Sequence, residues 1–257
     1  MTTNNPPPLT RERNLILIVL LGLAVAAWVL IIWQSMAQNG PMGLTMGMSG
    51  PVFVVFWVVM MVAMMFPAAA TMTLTFARVQ ANKRAQEQPF VPTWIFVGGY
   101  LLVWTIPGVL AWAAARWLEN VAGQSMWVMD NTARISGGLL LLAGLYQLTP
   151  LKHACLTKCR HPLTFILQSW RDGSIGAVRM GVEHGLFCLG CCWPLFVILF
   201  PLGIMNVAAM ALITLVIVAE KSWAWGLWVS RLAAVFLIGV GAASIVFPSV
   251  WAIFGAM

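Results

Sequence analysis

Long apolar runs constrain this chain more than any other feature of its sequence. They lie at roughly 15–33, 51–76, 94–117, 133–149, 177–200, 204–219 and 229–249. Each run is close to the ~20 residues that cross a bilayer as a helix. The runs show no strand-type alternation, and a backbone in lipid must satisfy its own hydrogen bonds. They therefore predict an all-α, polytopic transmembrane helix bundle of about seven spans.

Composition excludes a separate water-soluble domain. The chain is 61% hydrophobic and 8% charged, whereas soluble domains carry about 25% charged residues. The net charge of +7 does not indicate nucleic-acid binding, because the basic residues fall in short loops between the runs. We expect residues 1–10, which are polar and Pro-rich, to form a disordered tail. Residues 11–257 are predicted to form one transmembrane helical domain.

The distribution of Lys and Arg predicts the orientation in the membrane. With the N-terminus in the cytoplasm, every basic residue except Arg116 and Arg134 falls on the cytoplasmic side. Positive charge is enriched on that side of polytopic proteins. Seven spans then place the C-terminus on the periplasmic or extracellular side.

The strongest candidate site lies on the fifth apolar run. Four soft or borderline metal ligands occur within nine residues: His184, Cys188, Cys191 and Cys192. At 3.6 residues per turn the first three share one helix face and the fourth lies beside it. Pro194 cannot donate a hydrogen bond to the carbonyl of Gly190, so that oxygen is freed beside the thiols.

A second group of ligands follows the fourth run. It has the pattern His-x-Cys-x3-Cys-x-His: His153, Cys155, Cys159 and His161. The spacing of four between the cysteines fits a helical turn and a loop equally well. The segment faces the reducing cytoplasm, so a disulfide is not expected there. Cys155 and Cys159 are candidate metal ligands.

Methionines on the second run form a third group of soft donors. They recur at i and i+4 on two adjacent faces: Met60, Met61, Met64 and Met65. Met64 is expected about 20 Å below the outer surface, close to the depth of Cys188. Thiolate, thioether and imidazole together select Cu(I), with another soft transition metal as the alternative. The outer loop adds further methionines that would first capture such an ion: Met42, Met46 and Met48.

Ordinary packing explains each of these residues taken singly, because Met and free Cys are common fillers of apolar cores. Metal binding is favoured by their co-occurrence, since all five Cys and all three His lie between positions 153 and 192. Glu220 and Lys221 are expected to have a structural role, as a local ion pair or an anchor. Gln147 and Asn206 are expected to form hydrogen bonds between helices.

Several segments together resemble a bacterial family of integral membrane proteins of unknown function that are predicted to bind metal. They are WVVMMVAMMFP at 57–67, YQLTPLK at 146–152 followed by Cys155 and Cys159-Arg160, GLFCLGCCW at 185–193, Met205-Asn206 and Glu220-Lys221. The resemblance runs from about residue 50 to 225.

The resemblance implies a multi-pass protein of the bacterial inner membrane. It also implies a set of metal ligands: Met60, Met61, Met64, Met65, Cys155, Cys159, Cys188, Cys191 and Cys192. His153 and His161 are not part of the family pattern. Members are often encoded near a small soluble protein, which implies a partner for this chain in addition to the lipid bilayer.

Three functions are compatible with these features. The first is Cu(I) handling or transport across the inner membrane, without a phosphate-binding loop to couple it to nucleotide hydrolysis. The second is an accessory or assembly role in a larger membrane oxidase or monooxygenase complex. The third is transmembrane thiol–disulfide electron transfer through Cys188 and Cys191. The third is disfavoured because no cysteine lies in a predicted outer segment to accept or supply electrons there.

Overall fold

The structure, a computed structural model, describes residues 8–37, 44, 45, 47–204 and 206–249. No strand occurs in these ranges, which confirms the predicted all-α class. The helices are α1 (Pro8–Ala37), α2 (Gly50–Ala85), α3 (Thr93–Gln124), α4 (Met126–Asp130), α5 (Thr132–Gln147), α6 (Pro150–Arg160), α7 (Pro162–Ser169), α8 (Gly173–Val197), α9 (Leu199–Leu202), α10 (Val207–Ser222) and α11 (Gly226–Val246).

Five of the described helical segments are long and apolar enough to cross a membrane: Arg11–Ala37, Gly50–Ala85, Thr93–Val121, Gly173–Leu202 and Gly226–Val246. Helices α5 and α6 pass the same test together, as a pair bent by 62°. Helix α10 coincides with the predicted span at 204–219 but has only 16 residues, or about 24 Å. The seven-span count and the orientation therefore stay predictions.

Some predictions fall on residues outside the described ranges. Residues 1–7 of the predicted tail lie outside the described ranges. Its last three residues belong to α1, which begins at Pro8. Met42 and Met46 of the outer loop and Met205 of the family pattern also lie outside the described residues.

The bend between α5 and α6 has a local cause. Proline disfavours the helical conformation of the residue before it, and Thr149 precedes Pro150 with an extended backbone, φ −71° and ψ 148°. The Thr149 side chain then accepts a hydrogen bond from the backbone N–H of Lys152 and so caps α6. The segment that contains Cys155 and Cys159 is thus a helix, which resolves the choice that the spacing left open.

Glycines set the close packing of α3 against α8. A β-carbon at Gly99 would collide with the carbonyl oxygen of Val178, and one at Gly181 with that of Phe96. A β-carbon at Gly185 would lie 2.9 Å from the Cβ atom of Val103. Small residues allow two helix backbones to approach in this way. The approach brings the α3 side chains into contact with the ligand-rich face of α8.

Candidate metal centre

Three thiols of α8 lie in the protein interior. Cys188 and Cys192 are 0% exposed and Cys191 is 1% exposed. The sulfurs of Cys191 and Cys192 are 3.3 Å apart, and the Cys191 thiol donates to the carbonyl oxygen of Cys188 at 3.2 Å. All five cysteines of the chain are free thiols. The α8 face thus holds a compact group of soft donors away from solvent.

Cys188 has two polar partners that the sequence did not identify. The hydroxyl of Tyr100 on α3 lies 3.1 Å from its sulfur, and the ammonium of Lys221 on α10 lies 2.9 Å from it. Lys221 is 8% exposed, and a cation buried at this depth needs a partner. The Cys188 sulfur is the partner of Lys221 in the structure.

His184 lies one helical turn before Cys188 and is 2% exposed. Its ring is stacked against Phe96 and Tyr100 at centroid distances of 6.0 and 5.4 Å, with Phe165 edge-on at 5.8 Å. Within the described part of the chain, neither ring nitrogen has a hydrogen-bond partner. A buried polar group without a partner carries a desolvation penalty. An imidazole in this state beside thiols is an available ligand.

The carbonyl freed by Pro194 has a partner in the structure. The hydroxyl of Tyr146 on α5 donates to the carbonyl oxygen of Gly190 at 2.6 Å. Cys155 of α6 lies against the same glycine, because a β-carbon built there would be 2.8 Å from the Cys155 sulfur. Cys159, one turn further along α6, is buried in the same hydrophobic cluster as Cys191. The two predicted cysteine groups are therefore brought together.

The four α2 methionines are buried in the same hydrophobic cluster as the α8 thiols. Their exposures are 1% for Met60 and 0% for Met61, Met64 and Met65. Helix α2 packs against α1, α3 and α10 and reaches α8 through Trp57. The Trp57 ring lies 6.4 Å from that of Phe196, and its indole N–H donates to the carbonyl of Trp104 at 3.0 Å. The methionines face the interior of the cluster that also contains the thiols.

Glu220 pairs with a helix other than its own. Its carboxylate accepts from the buried ammonium of Lys152 on α6 at 2.7 and 2.8 Å, and Gln147 also accepts from that ammonium. Of the two structural roles expected for Glu220 and Lys221, the local ion pair is not formed, since Glu220 pairs with Lys152 and Lys221 is directed to Cys188. Lys152 was not identified from sequence because its apolar surroundings arise only from tertiary packing.

Asn206 bonds to the neighbouring helix α9, as expected, and also caps α10. Its side-chain oxygen accepts from the backbone N–H of Ala209 at 2.9 Å, and its amide donates to the carbonyl of Leu202 at 3.2 Å. A residue just before a helix satisfies N–H groups that the helix itself leaves unpaired. Asparagine is well suited to this position, which explains its placement.

The charged end of α8 is attached to α2. Asp172, immediately before α8, accepts from the ammonium of Lys83 and from the indole N–H of Trp170, the latter at 3.1 Å. These hydrogen bonds, that of Lys83 first, lower the pKa of the Asp172 carboxyl from its ordinary value. Asp172 also lies at the positive N-terminal end of the helix. The contact fixes the N-terminal end of α8 against α2.

The donors do not form a finished metal cage. Across the described residues, no group of three or more His, Cys, Asp and Glu side chains is arranged to hold a metal ion. Tyr100 and Lys221 occupy the Cys188 sulfur, and the His184 ring lies between aromatic side chains. Binding at this centre would require these side chains to rearrange. The donor set itself fits a soft ion, because it consists of thiols, an imidazole and nearby thioethers.

The family model of PpoB2, described as a copper chaperone, matches residues 54–244 of the chain. The match covers most of the sequence and includes every candidate ligand on α2, α6 and α8. The chain belongs to this family. No curated protein and no solved structure matches it.

Proposed function

We propose that this member of the PpoB2 copper chaperone family binds Cu(I) as cargo inside its helical core and passes it to a recipient. Cys188, Cys191 and Cys192 would supply the primary sulfur ligands, with His184 as a nitrogen donor. The observation that carries the proposal is the α8 face itself, where three buried free thiols lie beside an imidazole with no partner among the described residues.

The chemistry of the donors supports Cu(I) over hard cations. Thiolates and thioethers favour Cu(I), whereas Mg²⁺ and Ca²⁺ require oxygen ligands. The buried methionines Met60, Met61, Met64 and Met65 share the hydrophobic cluster with the thiols. We assign them a secondary role, as thioethers that receive the ion on its way to or from α8.

Tyr100 and Lys221 contact the Cys188 sulfur, and such exchangeable partners suit a protein that releases its cargo. A chaperone must bind copper and give it up, and a rigid tetrahedral site of the structural kind retains its metal. In the proposed copper-free state, the ammonium of Lys221 takes the position beside the Cys188 sulfur that the copper ion would occupy. When copper binds, the ammonium must move away from the sulfur.

Elemental analysis of the anaerobically purified protein tests this proposal. We expect about one copper per chain in the wild type, as for a single donor cluster. The double variant Cys188→Ser/Cys191→Ser should retain almost none. Equal copper content in the two proteins would overturn the proposal.

A methionine pair provides the matched control for the thioether role. Leu and Met have similar volumes, so exchanging them removes sulfur with little change in packing. Met64→Leu should weaken copper retention against a Cu(I) chelator, whereas Met126→Leu should not, because Met126 is 78% exposed on α4. Equal retention in both variants would remove the methionines from the proposal.

The recipient and the membrane are also proposals. We place the protein in the bacterial inner membrane with a cytoplasmic N-terminus, and its recipient is a small soluble protein or a larger membrane oxidase or monooxygenase. Affinity purification from cells grown with copper should recover a stoichiometric partner. A partner that remains bound to Cys188→Ser/Cys191→Ser, with no copper in either wild-type or variant protein, would favour the accessory-subunit role instead.

One contact favours thiol–disulfide chemistry as a second candidate. The Lys221 ammonium lies 2.9 Å from the Cys188 sulfur, and reactive thiols are activated by neighbouring cations. Alkylation of intact cells before and after reductant separates the two functions. A reversible loss of two alkylatable thiols in wild type, abolished by Cys191→Ser, would support electron transfer to a disulfide-bearing partner.

A further inference from the structure

The five thiols become progressively less exposed from the surface of the bundle to its centre. Cys155 on α6 is partly exposed, and Cys159 on the same helix is 5% exposed. On α8 the exposure falls to 1% at Cys191 and 0% at Cys188 and Cys192. The cysteines are thus arranged as a series with one accessible end.

Gly190 allows the accessible thiol to reach α8. A β-carbon at this position would lie 2.8 Å from the Cys155 sulfur, closer than real β-carbon contacts allow. Without a side chain, the Cys155 sulfur rests on the α8 backbone one residue before Cys191. The Tyr146 hydroxyl donates to the carbonyl of the same glycine at 2.6 Å and holds this part of α8 against α5.

Cys159 provides the next step of the series. It lies four residues after Cys155, or about 6 Å along the same helix face, and it is buried in the same hydrophobic cluster as Cys191. Two contacts fix α6 in this position. Lys152 pairs with Glu220, and the guanidinium of Arg160 donates to the carbonyls of Trp223 and Ala224 at 2.9 and 3.3 Å.

The far side of the centre is closed. Cys188 is covered by Tyr100 and Lys221, and the helix that carries Tyr100 packs on α8 through backbone contacts at Gly99 and Gly181. An ion therefore reaches Cys188 most directly from the α6 side.

We propose that Cu(I) enters and leaves the buried centre by ligand exchange through Cys155 and then Cys159 to Cys191. The proposal rests on the proposed function and adds the route to it. At each step a bond from copper to the next sulfur forms and the bond to the previous sulfur breaks. The incoming thiol loses its proton, which the departing thiolate takes up, and copper remains Cu(I) throughout.

On this route, Cys155 binds copper transiently while the ion passes to the next thiol. It does not hold copper in the fully loaded protein. Removing it should slow loading without changing the final amount of copper bound. Gly190→Ala should have the same effect, although it alters no ligand, because the added methyl group displaces the Cys155 sulfur from α8. This second variant separates a positional requirement from the simple loss of a thiol.

Stopped-flow loading of the reduced, copper-free protein with Cu(I)–bicinchoninate tests the route. The decay of the coloured complex gives the rate, and its final absorbance gives the copper bound. We expect Cys155→Ser and Gly190→Ala to load about 10-fold or more slowly, the order of effect of losing a supporting group at a metal site. Their endpoints should equal that of the wild type.

Two controls accompany the test. Gly138→Ala on α5 adds a methyl group with nothing within 4 Å, and Thr157→Ala alters an exposed side chain of α6. Both should load at the wild-type rate.

Wild-type loading rates in Cys155→Ser overturn the route while leaving the proposed function intact. Unchanged rates with a reduced endpoint also overturn it, because Cys155 would then be a storage ligand. A wild-type protein that removes no copper from the complex overturns the proposed function and the route together.

Discussion

Two pairs of helices form the most extensive contacts of the described chain: α5 with α11, and α3 with α8. Both contacts depend on glycine. On α5, β-carbons at Gly137 and Gly144 would lie 2.7 and 2.9 Å from α11 carbonyl oxygens. On α8, Gly181 meets the carbonyl of Phe96. The same packing device therefore occurs in both regions.

The two regions differ in what the close approach positions. The contact between α5 and α11 brings together apolar side chains and small residues such as Ser136 and Ser244, and no side chain of either helix that ionises near neutral pH is buried among the described residues. The contact between α3 and α8 places Tyr100 against Cys188 and His184. Close packing stabilises the first region and, in the second, also aligns groups that are costly to bury. The following predictions test this difference, from the largest effect to the smallest.

Breaking the buried ion pair between α6 and α10, which lies outside both contacts, should have the largest effect on stability. Lys152→Met leaves Glu220 buried without its partner, which costs about 3–5 kcal/mol of the free energy of unfolding. Lys152→Met/Glu220→Met should recover most of that loss, because no unpaired charge remains. Unfolding by SDS in mixed micelles measures both. Arg134→Met on α5 is the control, since that side chain is exposed. A single variant as stable as wild type would contradict the assigned pairing.

Matched glycine substitutions compare the two contacts directly. Gly241→Ala on α11 and Gly181→Ala on α8 should each cost about 1–3 kcal/mol, because the new methyl group collides with backbone across the contact. Copper bound per folded chain should fall only in Gly181→Ala. Gly138→Ala and Gly98→Ala add a methyl group to open space and should not destabilise the protein. Equal copper loss in both contact variants would mean that the regions are not functionally distinct.

Tyr146→Phe should have a smaller effect. It removes the hydrogen bond to the Gly190 carbonyl, and a typical intramolecular hydrogen bond contributes about 0.5–1.5 kcal/mol. Because that bond holds α8 near Cys155, copper loading should also slow relative to the wild type. If the variant is less stable but loads copper at the wild-type rate, the hydrogen bond to the Gly190 carbonyl has no role in the copper route.

The surface contact at Asp172 should have the smallest effect, and it should depend on pH. Its pKa is lowered in the folded protein, so its contribution is fully present above the unfolded pKa of about 3.9 and is lost as the pH falls through the folded pKa. Asp172→Asn should therefore melt slightly below the wild type at neutral pH and at the same temperature in strong acid. Asp130→Asn is the exposed control. A difference between Asp172→Asn and wild type that persists in strong acid would contradict the assignment.

Local sequence was sufficient to predict the helices and the types of residue in the candidate site. The apolar runs predicted all-α structure, which the structure confirms, and the period of the α-helix placed His184, Cys188 and Cys191 on one face. The number of spans was not settled in this way. Helix α10 is short, and α5 passes the test for a membrane span only together with α6, from which it is separated by a bend at Pro150 that lies just beyond the apolar run.

The partners of the site could not be predicted. Lys221 and Cys188 are 33 residues apart, and Lys152 and Glu220 are 68 apart. Each pair joins different helices, and no periodicity within one helix specifies which neighbour it meets. Adjacent opposite charges at Glu220 and Lys221 suggested a local pair, whereas successive residues of a helix point to different sides and find partners on different helices.

The sequence by itself determined that the chain forms apolar helices and that soft donors cluster on α2, α6 and α8, because hydropathy and helical period are local properties. Tertiary structure alone decided that Cys155 reaches Gly190, that Lys221 covers Cys188, and that His184 is left without a partner among the described residues. These contacts depend on the distance and rotation between helices. Those are set by glycine contacts and proline breaks acting together across the whole bundle.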